Sequence, residues 1–144
     1  MMERLLILNG PNLNRLGKRE PDIYGKETLK DIVEQVKRIS TPFGVEVQDF
    51  QSNHEGELID RLHSLDESYI GVVFNPGAYT HTSIALRDAI TSISIPVIEV
   101  HISNVHKREE FRHTSLLAPV CIGQIVGLGV QGYELAARAL LERK

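Results

Sequence analysis

Five short runs of aliphatic and β-branched residues, separated by stretches of a different periodicity, constrain this chain more than anything else in its sequence. The runs are Leu5–Leu8, Val45–Phe50, Gly71–Phe74, Val97–Val100 and Val120–Val126. Between them apolar residues recur at helical spacing: Leu29, Ile32, Val33, Val36 and Ile39, then Leu58, Ile59, Leu62 and Leu65. A third set is Leu86, Ala89, Ile90 and Ile93, and a last one is Tyr133, Ala136, Ala137 and Leu140. A period of about 3.6 marks an amphipathic helix, whereas a short apolar run bounded by turn residues marks a buried strand. Two of the helical stretches carry start signals, Thr28 with Asp31 and Ser52 with Glu55, the latter at capping-box spacing. The polar run Asn104–Arg112 reads as short helix or turn.

Strands separated by helices form βαβ units, and right-handed crossovers place the helices on both faces of a parallel sheet. The expected fold is therefore α/β, a flavodoxin-like three-layer sandwich with a five-stranded parallel sheet; its order, 2-1-3-4-5, is taken from the usual order of such sheets and not deduced from the sequence. A chain of 144 residues has the length of one domain. No repeat, low-complexity tract or linker divides it, so residues 1–144 are expected to form a single domain. Net charge is -3 with both signs interspersed, which gives no electrostatic footprint for nucleic acid. The apolar run after Met1–Arg4 is too short for a signal peptide or a membrane span, so the expected location is the cytoplasm. The lone Cys121, within the apolar stretch Ala118–Ile122, reads as a small core residue in a reducing compartment.

In open parallel sheets the ligand lies beyond the carboxyl ends of the strands, where the strand order reverses. Polar residues gather at these ends. The first strand runs into Asn9-Gly10-Pro11-Asn12-Leu13-Asn14, and the third into Asn75-Pro76-Gly77-Ala78-Tyr79-Thr80-His81. Asn and Pro also serve ordinary turns, so each residue alone has two readings. On the fourth strand Glu99, His101 and Ser103 alternate and share one face. A carboxylate beside an imidazole fixes its tautomer and raises its basicity, an arrangement suited to acid–base work. A serine hydrolase using Ser103 is the rival reading, but the chain contains no G-x-S-x-G nucleophile elbow. A phosphoreceiver would want acidic residues where Asn9, Asn12 and Asn75 stand. The segment Gly17–Gly25 is long for a strand-to-helix loop and holds Arg19 and Tyr24. It reads either as a solvated loop or as a lid. A phenol ordinarily ionises near pH 10, and a guanidinium held beside it would favour the ionised form.

Two patterns point elsewhere when taken alone. Gly127-Leu128-Gly129-Val130-Gln131-Gly132 matches a dinucleotide-binding fingerprint. It follows the last strand, however, with no second βαβ unit to complete such a site, so a tight turn and close helix packing explain the glycines better. The six histidines form no H-E-x-x-H and no Cys–His set at zinc spacing, so no metal is expected.

Taken together, the motifs resemble the type II 3-dehydroquinate dehydratases over essentially the whole chain. The resemblance rests on Leu8–Asn14, the Arg19–Gly25 lid, Gln51–Gly56, Asn75–Ser83, Glu99–Asn104 and Arg108–Arg112. Thr114 departs from the second His that many members carry after His113. The resemblance implies a hydro-lyase of the shikimate or quinate pathways that needs no cofactor or metal. It implies reversible dehydration of 3-dehydroquinate to 3-dehydroshikimate by anti elimination through an enolate. Tyr24 would be the base, with Arg19 lowering its pKa, and Asn12 would hold a water at the enolate. His101, oriented by Glu99, would be the acid. Asn75, Ile102 and Ser103 would hold the substrate carboxylate; His81 and Arg112 would hold ring hydroxyls. Asp88 would reach a neighbouring subunit's site in a homododecamer built from trimers.

Overall fold

Leu5, Leu6, Ile7 and Leu8 have no exposed surface, because their strand lies inside the sheet with a partner on each side. The computed structural model describes residues 1–18 and 20–143, so the role expected of Arg19 falls outside the described residues. Strands β1 (Glu3–Asn9), β2 (Val45–Gln51), β3 (Tyr69–Asn75), β4 (Val97–His101) and β5 (Gly123–Val126) form one sheet. All pairings are parallel, as the alternation of strands and helices implied, and the order is β2-β1-β3-β4-β5, the one expected of a flavodoxin-like sheet.

Side chains alternate across the sheet and so feed two cores. Leu5, Ile7, Val73 and Val100 pack against α2 (Leu29–Ser40) and α5 (Gln131–Glu142). Leu6, Leu8, Val72 and Phe74 face the other way, onto α3 (Glu55–His63) and α4 (Ile84–Thr91). The three layers of a flavodoxin-like fold follow. A fifth helix, α1 (Pro21–Tyr24), is a single turn within the long loop after β1. Among the described residues no helix is long and apolar enough to cross a membrane.

Three local expectations need correction. The Thr28–Asp31 capping box opens α2 as expected, but Ser52 and Glu55 form no box. The chain is still extended at Ser52, whose N–H bonds to Asn9 O at 3.1 Å, and the helix cap falls two residues later at His54. Ser52 instead accepts the His54 amide at 2.9 Å and donates to Glu57, while Glu55 receives the Ser83 hydroxyl. The last strand starts at Gly123 rather than Val120, because Ala118–Val120 is a 3₁₀ turn built around Pro119, which has no N–H for a ladder. Finally, β4 ends at His101, so only Glu99 and His101 share its face; Ser103 lies beyond the strand.

The glycine-rich turn between β5 and α5 is structural in the way its context implied. Gly127 has φ +87, and a Cβ there would come within 2.9 Å of Asn104 Cβ. Gly132, in the first turn of α5, lies so close to the sheet that a Cβ would meet Val100 at 3.2 Å.

Candidate active site

The register of β1 on β3 sets Asn9 beside Asn75 at the point where the strand order reverses. Both are buried, and both are held by a residue from across the core. The hydroxyl of Tyr133 on α5 donates to Asn9 Oδ1 at 2.6 Å and accepts from Asn75 Nδ2 at 2.8 Å. Burial pushes the Tyr133 phenol well above its ordinary pKa, so it stays protonated and serves as a bridge. Asn75 Oδ1 accepts the Gly77 amide at 3.1 Å, which fixes the side-chain amide with its NH₂ away from that turn.

A cavity of about 110 Å³ opens over these strand ends. Asn12, Asn75, His81 and His101 line it, together with Ile102, Ser103, Arg112 and Tyr24. Asn12 takes a left-handed conformation (φ 71), which Asn tolerates, and its amide bonds to Asn53 Oδ1 at 3.0 Å. Tyr24 is half-buried at the end of α1, where Pro21 presets the first helical position and the Gly25 amide closes the turn on Pro21 O at 2.8 Å.

Glu99 stands behind the cavity with no exposed surface. Its Oε2 lies 2.5 Å from His101 Nε2, and the hydroxyls of Thr80 and Ser115 also donate to it. Burial opposes its ionisation, but the hydrogen bond and charge of His101 and the two hydroxyls outweigh burial and hold its pKa below the usual carboxylate range. The His81 ring stacks on His101 with centroids 6.4 Å apart and planes at 20°. Burial is the largest cause that lowers the His81 pKa, with the charges of His101 and Arg112 adding to it. Because His81 Nδ1 lies 2.9 Å from the carbonyl of Thr114, the neutral ring carries its proton there and leaves Nε2 as an acceptor.

Arg19 is outside the described residues, and Asp88, exposed on α4, does not line this cavity. Among the described residues, Arg108 brings a cation to Tyr24. Its Nη1 donates to the Tyr24 hydroxyl at 2.8 Å and to Ser103 Oγ at 3.1 Å, and its guanidinium lies 5.5 Å from the Tyr24 ring centroid. Sequence reading missed this role. The available signal was a second arginine four residues ahead of Arg112 in the polar run after β4. Arg112 itself is tied to Glu109 at 2.9 Å. Cys121 is half-buried, and burial, followed by the charge of Glu99, pushes its thiol up to about 12, which suits packing rather than nucleophilic work.

A larger groove of about 340 Å³ runs between α2 and α5. There Gln35 donates to Glu134 at 2.6 Å, and Asp31 is tied into the α2 cap by the Thr28 amide at 3.0 Å.

Fold and cavity together define a flavodoxin-like α/β protein with a polar, cation-bearing pocket at the carboxyl edge of its sheet. The profile of the Dehydroquinase class II family matches residues 3–141. The 3-dehydroquinate dehydratase of Bacillus pumilus (strain SAFR-032) is 64% identical over 140 residues, covering 97% of this chain and 95% of that one. The type II dehydroquinase of Butyrivibrio crossotus DSM 2876 superposes with a TM-score of 0.92 at 51% identity, covering 96% and 97%. That of Propionibacterium acnes gives 0.92 at 42%, covering 99% and 98%. This chain belongs to the class II dehydroquinase family.

Proposed function

We propose that this chain is a hydro-lyase that converts 3-dehydroquinate to 3-dehydroshikimate, reversibly, by anti elimination through an enolate. Tyr24 takes the proton at C2, beside the ketone. Negative charge develops on the ketone oxygen, where a water held by Asn12 stabilises it. His101, oriented by Glu99, gives a proton to the departing C1 hydroxyl. Asn75, Ile102 and Ser103 hold the carboxylate, and His81 and Arg112 hold ring hydroxyls; an acceptor Nε2 on His81 suits an O–H donor. Arg108 sets a positive charge against the oxygen that must carry negative charge when Tyr24 acts as base, a part it shares with Arg19 in this reading.

The observation that carries this reading is that Tyr24, held by a guanidinium, and His101, held by a buried carboxylate, line one cavity. A base and an acid of different chemistry on the same ligand fit a stepwise elimination. The reading includes a single catalytic domain over residues 1–144, a cytoplasmic enzyme of the shikimate pathway to aromatic amino acids, and a homododecamer of trimers in which Asp88 reaches a neighbouring site. Exposure of Asp88 away from its own cavity fits that last role.

Purified, metal-stripped protein mixed with 3-dehydroquinate should generate the ultraviolet absorbance of a conjugated enone. No absorbance change over a range of protein concentrations would overturn the assignment.

A further inference from the structure

Glu99 is fully buried in the sheet, and a carboxylate there needs hydrogen-bond donors to remain charged. Besides His101, two hydroxyls converge on it, neither lining the cavity that holds Tyr24 and Asn75. Thr80 comes from the 3₁₀ turn after β3, and Ser115 from the loop after Arg112. Each hydroxyl has one proton to give. Ser115 Oγ already accepts the amides of Leu117 and Ala118 at 3.1 and 2.9 Å, so its proton is left for Glu99, whose oxygens lie at 2.8 and 2.9 Å. Thr80 Oγ1 is also 2.8 Å from Ser115 Oγ, but the two amides already fill the Ser115 lone pairs, so the Thr80 proton goes to Glu99 Oε2.

Two hydroxyl protons directed at Glu99 stabilise its carboxylate form, the acceptor that faces His101 Nε2 at 2.5 Å. We propose that Thr80 and Ser115 are positioning residues for the elimination: acting through Glu99, they keep its carboxylate an acceptor for Nε2–H of His101, so that the ring is fixed with Nδ1, the nitrogen that gives its proton to the departing hydroxyl, free of Glu99. The inference rests on the reading of His101 as general acid. The elements that carry the two hydroxyls are clamped together: Leu116 N–H bonds to Thr80 O at 2.7 Å, and Thr114 O meets His81 at 2.9 Å. One loop thus orients both imidazoles.

Thr80→Val keeps the shape and removes the donor, whereas Thr80→Ser keeps the donor. The expected result is a tenfold or larger loss of kcat in Thr80→Val and in Ser115→Ala with KM unchanged, and recovery of most of it in Thr80→Ser. The ¹⁵N resonance of His101 Nε2 should move in Thr80→Val away from the protonated position it holds in the unsubstituted protein. Turnover within twofold of the unsubstituted protein in both donor-less variants, an unmoved resonance, or equal losses in Thr80→Val and Thr80→Ser would overturn the proposal. Should Thr80→Val fail to fold, Ser115→Ala against Ser115→Thr reads the same contrast. His101→Ala, run alongside, separates the two layers: if it is inactive while both donor-less variants turn over normally, only the inference fails. If it turns over normally, the acid assignment itself is lost.

Discussion

At the scale of single residues, the proposed mechanism gives each reactive group a charged partner. Tyr24 has Arg108 at 2.8 Å, and His101 has Glu99 at 2.5 Å. Removing a positioned charge or donor from a developing negative centre ordinarily costs about 10²-fold or more in rate. Arg108→Ala should therefore lower kcat by roughly 10²-fold, read from steady-state kinetics on protein whose thermal unfolding matches the unsubstituted chain. Unchanged kcat would remove Arg108 from the chemistry. Most of the cavity's residues were legible because they sit in strand-end runs whose polarity contrasts with the strands before them: Asn12 and Asn75 are of this kind, as is His101 on its buried strand. Arg108 and Ser115 were not, because each lies in an aperiodic polar stretch where nothing distinguishes a solvated side chain from one that turns inward. Their partners, Tyr24 and Glu99, are 84 and 16 residues away in the chain.

Among the elements, hydrophobic period located all five strands and the four long helices, since each buries one face or both against the sheet. Boundaries followed local chemistry that period does not report. Pro119 delays the last strand, and the sheet bond of Ser52 delays α3 until His54. The Thr28–Asp31 box was readable because both members flank a helix that begins directly after them, with Asp31 accepting the Thr28 amide at 3.0 Å and Thr28 accepting the Asp31 amide at 3.3 Å. Thr28→Ala should lower stability by about 1 kcal/mol, seen as a lower urea midpoint at constant slope. A midpoint that does not move would mean that α2 is held by packing of Ile32, Val33 and Val36 alone.

For the molecule as a whole, the strand order places the reversal between β1 and β3, where Asn9 and Asn75 meet. Building acid–base groups into a buried edge couples stability to pH. Glu99 and His81 both have pKa values below their ordinary ones in the folded chain. The unfolded chain then binds protons more readily than the folded one, and stability falls as pH falls. His81 contributes below about pH 6.5 and Glu99 below about pH 4.3, the ordinary values for these groups, each until its folded pKa is passed. Thermal unfolding from about pH 7 down to about pH 2.5 should show this loss, and Glu99→Gln should flatten the part below about pH 4.3; a profile indifferent to that substitution would contradict the coupling. The central claim is that Tyr24 alone makes the enolate and His101 alone expels the hydroxyl. Its most direct measurement is exchange of the C2 hydrogen of 3-dehydroquinate in deuterated water, followed by NMR. His101→Ala should still exchange that hydrogen while forming almost no enone, and Tyr24→Phe should do neither. Exchange that persists in Tyr24→Phe, or that vanishes together with elimination in His101→Ala, would contradict the account.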